Sequence, residues 1–355
     1  MGEKILPFFL PMYGCPHHCI FCDQQAISGE EALPKAEDIR AALRGLTSDG
    51  QGELAYYGGS FTCLPRSMQE SYLALAQEGI KQGKISGIRI STRPDAVSKA
   101  ECEWLRAQQV TTVELGIQSF DSQVLLVSGR GYGQKEALAG CRQVKASGLR
   151  LGLQLMTGLP KDSPAKDRAS MAMALGEKPS LLRIYPTLVL KGTPLAQAWE
   201  KGEYRAQTLA EAVAVCRDML ALALCQGVTV QRMGINPSPQ VEEALLDGPY
   251  HPAFGGLVRE ALKYEQILWL LRDLPKADRG ELHFPTRELP LVFGQKRRYA
   301  LALGETWPNL VLVPEPEMEK GALLLRWSAG ERKSREKDFL TQHRENRINE
   351  QESLA

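Results

Sequence analysis

The sequence predicts an α/β chain: a parallel sheet curved into a partial or full (β/α)6 TIM-like barrel, followed by a small α+β domain. Short apolar runs alternate with longer amphipathic stretches six times before about residue 240, the pattern of successive β-α units. Candidate ligand-binding residues then recur just after successive strands, at the carboxyl ends where α/β sheets bind ligands. Beyond residue 240 the pieces become shorter and are punctuated by Pro and Gly. Periodicity alone does not separate a barrel from a doubly wound open sheet.

The strands are expected over 6–13, 53–57, 87–91, 112–117, 149–156 and 181–190. Most are nearly continuous in apolar or β-branched residues, as parallel strands buried on both faces are. Helical periodicity fills 35–46, 66–82, 99–108, 134–147, 164–175 and 208–226, with Gly148 and Gly227 as stop signals. A helix over 254–274 opens the next region. A strand at 280–284, a short helix at 287–293, the turn Gly294-Gln295-Lys296-Arg297, a helix over 298–303 and a strand at 310–314 complete it. The expected domains are a barrel over 1–240, an α+β domain over 241–327 and a charged, loosely ordered tail over 328–355.

With 355 residues, 43% hydrophobic and 24% charged, the chain is long enough for a large core and a second domain. A formal net charge of +1 gives no global pull toward nucleic acid, membrane or acidic partners. No apolar run approaches a membrane span, and the stretch at 1–7 is too short for a signal peptide. A cytoplasmic protein is expected.

The most informative segment is Cys15-Pro16-His17-His18-Cys19-Ile20-Phe21-Cys22, a C-x3-C-x2-C motif. Three thiolates at this spacing can ligate three irons of a 4Fe-4S cluster from one loop. The fourth iron then stays open for a small molecule to chelate and to receive an electron. Zinc is the competing ligand, with His17 or His18 completing a closed tetrahedral site. Structural zinc usually draws on paired C-x2-C knuckles from two places, and no second knuckle exists here. Cys63, Cys102, Cys141, Cys216 and Cys225 are scattered singly and form no disulfide framework.

Other motifs follow strand by strand. Gly58-Gly59-Ser60 after the second strand would let backbone approach a ligand, although a double glycine is more often only a turn. Arg130, in Ser128-Gly129-Arg130, offers a guanidinium fork suited to a carboxylate, against the alternative of a surface arginine. Gln154 is a polar side chain in an otherwise apolar strand, either a satisfied core residue or a ligand contact.

Taken in order, Cys15 to Cys22, Tyr57-Gly58-Gly59-Ser60-Phe61-Thr62, Ser91-Thr92-Arg93-Pro94-Asp95, Val113-Glu114-Leu115-Gly116-Ile117-Gln118-Ser119-Phe120, Ser128-Gly129-Arg130, Gln154 with Gly158-Leu159-Pro160, and Arg183-Ile184-Tyr185-Pro186 resemble the radical S-adenosylmethionine (SAM) enzymes. Within them the chain looks like stand-alone proteins similar to the radical SAM domain of the Elongator catalytic subunit. Oxygen-independent coproporphyrinogen oxidases are more distant relatives. The resemblance spans roughly residues 5–258 and implies the partial barrel of the radical SAM type.

It further implies that Cys15, Cys19 and Cys22 bind a 4Fe-4S cluster and that Gly58 and Gly59 approach the methionyl amine of SAM. By the same resemblance Gln118, Arg130 and Gln154 contact SAM, and Phe21, Ser60 and Ser91 belong to the cofactor site. Ser60 replaces an acidic residue often found after the double glycine, and Ser91 stands where relatives often place a glutamate. No acetyltransferase domain is expected to follow.

The resulting expectation is an enzyme that reductively cleaves SAM to a 5′-deoxyadenosyl radical and abstracts hydrogen from a substrate, with a flavodoxin or ferredoxin as reductant. Arg183, Tyr185 and Lys191, at or after the sixth strand, are the residues expected at the substrate mouth. The substrate is read as tRNA, with a small metabolite as the alternative. The strand, helix, glycine-basic turn, helix, strand order after 280 resembles a K-homology core that clamps RNA backbone, with Arg297 in place of the second loop glycine. Charge from Arg259 onward is balanced, 17 basic against 16 acidic, so the Lys296-Arg297-Arg298 cluster is local. A non-catalytic cluster carrier or RNA-binding protein is the reading from another class. It predicts loss of Gln118, Arg130 or a cysteine, and none is lost.

Overall fold

A computed structural model of the chain describes residues 4–10, 15, 19–23, 27, 32–47 and 50–342. It contains two compact units, one made of Met1–Leu209 with Val228–Pro252, the other of Ala210–Gly227 with Ala253–Ala355. In the first unit, β1 (Ile5–Leu10), β2 (Glu53–Gly58), β3 (Gly87–Thr92), β4 (Val110–Gln118), β5 (Arg150–Thr157), β6 (Leu181–Pro186) and β8 (Thr229–Met233) form one sheet. Its order is β1-β2-β3-β4-β5-β6-β8, and every neighbouring pair is parallel.

The crossovers carry α1 (Ala36–Gly45), α2 (Arg66–Lys81), α3 (Lys99–Ala107), α4 (Ser122–Val127) with α5 (Gln134–Ala146), and α6 (Pro164–Gly176). Side-chain caps fix where several begin. Ser98 accepts from the Glu101 N–H, Asp121 from Gln123 and Val124, and Ser163 from Lys166.

The sheet is a curled half-barrel, and one hydrogen bond demonstrates the curl. Arg89 on β3 donates to Gln231 on β8 at 2.9 Å. Those strands are four places apart in the sheet, roughly 19 Å if it were flat. Side chains meet across that span only if the sheet rolls around them. The roll encloses a polar interior that later decides the shape of the site.

Two features differ from the sequence expectation. The strand expected over 181–190 stops at Pro186, where the ring nitrogen has no proton to extend the ladder. The next pair, β7 (Val189–Leu190), leaves the sheet and pairs antiparallel with β9 (Leu245–Asp247). Continuous apolar residues hid that break. The seventh strand, β8, escaped notice because Thr229-Val230-Gln231-Arg232-Met233 has no apolar run. Positions 11–13 of the expected first strand lie outside the described residues.

In the second unit, α8 (Leu209–Cys225) ion-pairs through Arg217 with Glu265 of α10 (Phe254–Leu271) at 2.7 Å. A four-stranded sheet follows, built from β10 (Gly280–Pro285), β11 (Leu310–Glu315), β12 (Ala322–Trp327) and β13 (Gly330–Arg335), in the order β11-β10-β12-β13. Parallel β10 and β11 are joined by α11 (Leu289–Phe293) and α12 (Arg298–Thr306). Ile267, Leu271, Leu282, Phe284, Leu323 and Leu325 form its core. The expected strand-helix-helix-strand order is present, and the turn between the helices holds Gly294, Lys296 and Arg297 at positive φ.

The boundaries differ from those expected. Ala210–Gly227 belongs with the second unit, and the first unit runs on to Pro252. The tail expected to be loose from 328 is ordered as far as 342. Gly330–Arg335 pairs with β12, Ser334 is buried against Gln266, and Phe339 and Leu340 are buried in the helical turns at 336–342. Its charge is that of an edge strand with one solvated face. Residues from 343 lie outside the described residues. Among the described residues no helix is long and apolar enough to cross a membrane.

Candidate active site

The cysteine loop is held by backbone on both sides. The Ile20 N–H donates to the Ser128 carbonyl at 3.2 Å, and the Ile20 carbonyl accepts from Leu195, in α7 (Pro194–Glu200), at 2.8 Å. Cys15, Cys19 and Cys22 take part in no disulfide. Cys15 Sγ lies 3.3 Å from Ser60 Oγ. Cys19 is buried with Phe21, Val124, Leu159 and Leu195, with Ile20, Cys22 and Met156 packed around them, so Cys19 and Cys22 sit in an apolar shell. Among the described residues no three Cys, His, Asp or Glu side chains close around the position of a single metal ion. His17 and His18 lie outside the described residues.

Arg130 is the charge that answers this shell. Its Nη1 donates to Cys19 Sγ at 3.1 Å, Nη2 to the Gly116 carbonyl, and Nε and Nη2 to Tyr132 Oη at 3.0 and 2.7 Å. It is buried, and among the described residues no carboxylate pairs with it. The resemblance assigned this fork to SAM. In the structure it donates to the Cys19 sulfur, a strand carbonyl and a phenol.

A cavity of about 450 Å³ opens beside the loop. Six of the expected cofactor residues line it: Phe21, Cys22, Gly58, Ser91, Gln118 and Gln154. Arg183 and Tyr185 line it from β6, whereas Lys191 does not. Lys191 is exposed in the turn after β7, where its N–H donates to the Ala244 carbonyl. Gln118 has φ +68° at the end of β4, and its Oε1 is buried without a hydrogen-bond partner among the described residues. A buried amide oxygen left unpaired costs about 1–3 kcal/mol, which a ligand donor would remove.

Gly58 is required for a reason other than ligand approach. At φ +101°, a Cβ there would stand 3.0 Å from the Leu10 carbonyl oxygen, so the residue is glycine because β1 passes close by. Gly59 likewise donates its N–H to Leu10, at 2.8 Å.

Beneath the cavity lies a charge network that sequence reading missed. Glu114, fully buried on β4, accepts from Tyr57 Oη at 3.0 Å, Arg89 Nη1 at 2.9 Å and Gln154 Nε2 at 3.0 Å. Arg183 Nε lies 2.8 Å from its other oxygen, and Arg183 also donates to Tyr57. Glu53 pairs with Arg89 through Nε at 2.7 Å and accepts from Thr112 at 2.6 Å. Two carboxylates thus balance two guanidiniums away from water. Burial, then the neighbouring Glu114 charge, pushes the Tyr57 phenol far above its ordinary range, so it remains a donor. The signal was present as single charges inside apolar strands, Arg89 in Gly87-Ile88-Arg89-Ile90 and Glu114 in Val113-Glu114-Leu115.

After β5 a second acidic feature borders the shell. Burial, then the charge of Asp162, raises the Asp167 carboxyl well above the usual range, and burial raises Asp162 as well. An acid with a raised folded pKa binds more protons folded than unfolded. Its stabilisation is complete at low pH and is lost as pH climbs above the ordinary carboxylate value. Asp167→Asn is therefore expected to raise the melting temperature at pH 7.5 and to have little effect near pH 4. Thermal unfolding across that range checks it.

A sequence profile described as the Radical SAM superfamily matches residues 9–172, and one described as the Radical SAM C-terminal domain matches 179–264. The chain belongs to the radical SAM superfamily. It is 28% identical over 228 residues to the tRNA uridine(34) acetyltransferase of Dehalococcoides mccartyi, covering 54% of this chain and 50% of that one. It is 29% identical over 191 residues to mouse (Mus musculus) Elongator complex protein 3, covering 48% and 35%. The chain thus spans half or less of the length of these relatives. The archaeal Elp3 of Methanocaldococcus infernus, solved with an N-terminal deletion, shares the fold at a TM-score of 0.59 and 20% identity, over 74% of this chain and 62% of that one.

Radical SAM proteins are enzymes that use a 4Fe-4S cluster and SAM, and the residues present fit both groups. Three cysteines outside any disulfide share one loop, a guanidinium meets one sulfur, and a buried amide oxygen without a partner among the described residues belongs to a side chain lining the adjoining cavity.

Proposed function

We propose that this radical SAM enzyme modifies a nucleotide of RNA, with uridine in tRNA as the substrate class. The match to relatives named tRNA uridine(34) acetyltransferase carries that reading. Acetyl transfer is left aside, because about half of that relative's length is unmatched. When bound, the cluster and SAM supply one-electron cleavage of a C–S bond and a hydrogen-abstracting radical. The chain's own residues then have distinct tasks. Cys15, Cys19 and Cys22 hold the cluster, the apolar shell excludes water, and Gln118 offers an acceptor to SAM. Glu114 fixes Gln154 and Arg183 at the cavity wall, with Tyr185 beside them. The mouth residues are therefore Arg183 and Tyr185, without Lys191.

The test is anaerobic reconstitution with iron and sulfide, then dithionite and SAM, following 5′-deoxyadenosine by chromatography. The wild-type protein is expected to release it, Cys19→Ala to release none, and unfractionated tRNA to increase the yield. Yield indifferent to tRNA but raised by a metabolite extract would overturn the RNA assignment and leave the radical chemistry standing.

A further inference from the structure

The cavity holds a positive charge that its own wall does not balance. Two arginines line it, Arg183 on β6 and Arg232 on β8, and no aspartate or glutamate does among the described residues. They are register partners on adjacent strands. Arg183 is neutralised by Glu114 at 2.8 Å. Among the described residues Arg232 meets only the neutral side chain of Asn236, to which its Nη1 donates. A guanidinium has five N–H donors, so most of this fork is unspent.

The position narrows what the fork would take. Phe21, Cys22, Gly58, Ser91 and Gln118 line the cavity from the cysteine loop and β2 to β4, the side implied for SAM. Arg232, with Arg183 and Tyr185, lines it from β6 and β8. A partly buried, uncompensated guanidinium is suited to the planar or tetrahedral oxygens of a carboxylate or phosphate, which it can grip with two parallel hydrogen bonds. We propose that Arg232 is the anion anchor of the substrate pocket, receiving a phosphate or carboxylate group of the molecule being modified. The inference deepens the reading above and rests on it only in taking that anion to be a nucleotide phosphate.

The test is calorimetric titration of the reconstituted, SAM-saturated protein with inorganic pyrophosphate and with uridine monophosphate. Both are expected to bind the wild-type protein. Arg232→Gln should weaken both by about ten- to a hundredfold, the range for losing a charged hydrogen bond, while SAM affinity holds. Arg232→Lys should retain part of the binding, and matching thermal midpoints would show that both variants fold. Pyrophosphate binding that needs Arg232, with the uridine nucleotide binding no better, keeps the anchor and removes the nucleotide reading. Anion affinity unaltered in Arg232→Gln, or no anion binding by the wild-type protein, overturns the anchor. So does a loss of SAM affinity in that variant, because the guanidinium would then belong to the cofactor's carboxylate.

Discussion

Glu114→Ala is expected to destabilise the protein by about 3–5 kcal/mol, the range for breaking a buried ion pair by removing one partner. The cost comes from what stays behind. Arg89 and Arg183 would remain buried with only Glu53 to balance them, and Tyr57 would lose its acceptor. Glu114→Gln keeps an acceptor oxygen and should lose less, separating lost charge from lost hydrogen bonding. Urea unfolding of the wild-type and two variant proteins measures both. Equal midpoints for all three would show that Glu114 does not bear the interior charge. The glutamine variant should also bind SAM more weakly, because this carboxylate holds Gln154 at the cavity wall.

Arg130→Met should nearly abolish stable cluster loading while the protein remains folded. Methionine fills much of the same volume in the apolar shell, and what it removes is the cation at Cys19 Sγ. That guanidinium is the positive charge at the sulfur, and a cation beside a cysteine sulfur favours its binding of metal. Iron and sulfide per chain, with the visible absorbance of the reconstituted protein, provide the readout. Undiminished iron content would return Arg130 to the SAM-binding role that the resemblance gave it. The cluster-loaded protein should melt higher than the cluster-free one, because a group held only by the folded chain stabilises that state.

Strands β2 to β5 were legible because each is a run of apolar residues ended by a recognisable turn. The strand β8 was not, since it is short, polar and recognisable only by its place in the sheet. Cys22, Gln118 and Gln154, which line the cavity, stood out in one dimension as unusual residue types at the ends of strands or inside them. Glu114 was passed over inside a quoted motif, for nothing in one dimension tells that Tyr57, Arg89, Gln154 and Arg183 converge on it. Lys191 shows the reverse error. It follows the sixth strand in sequence, but the turn after Pro186 carries it out of the cavity.

The division of the chain also sets an order for synthesis. The helix Leu209–Cys225 leaves the ribosome well before its ion-pair partner Glu265, and Cys225 donates to a carbonyl at Leu340. At about 5–20 residues per second the helix waits several seconds for its last contact, with a largely apolar surface uncovered. The half-barrel cannot be completed first either, because its last strand, Thr229–Met233, is translated after that helix. A nascent chain halted near residue 252 would hold every strand of the barrel sheet and a helix still lacking Glu265 and Leu340, the profile of a chaperone client.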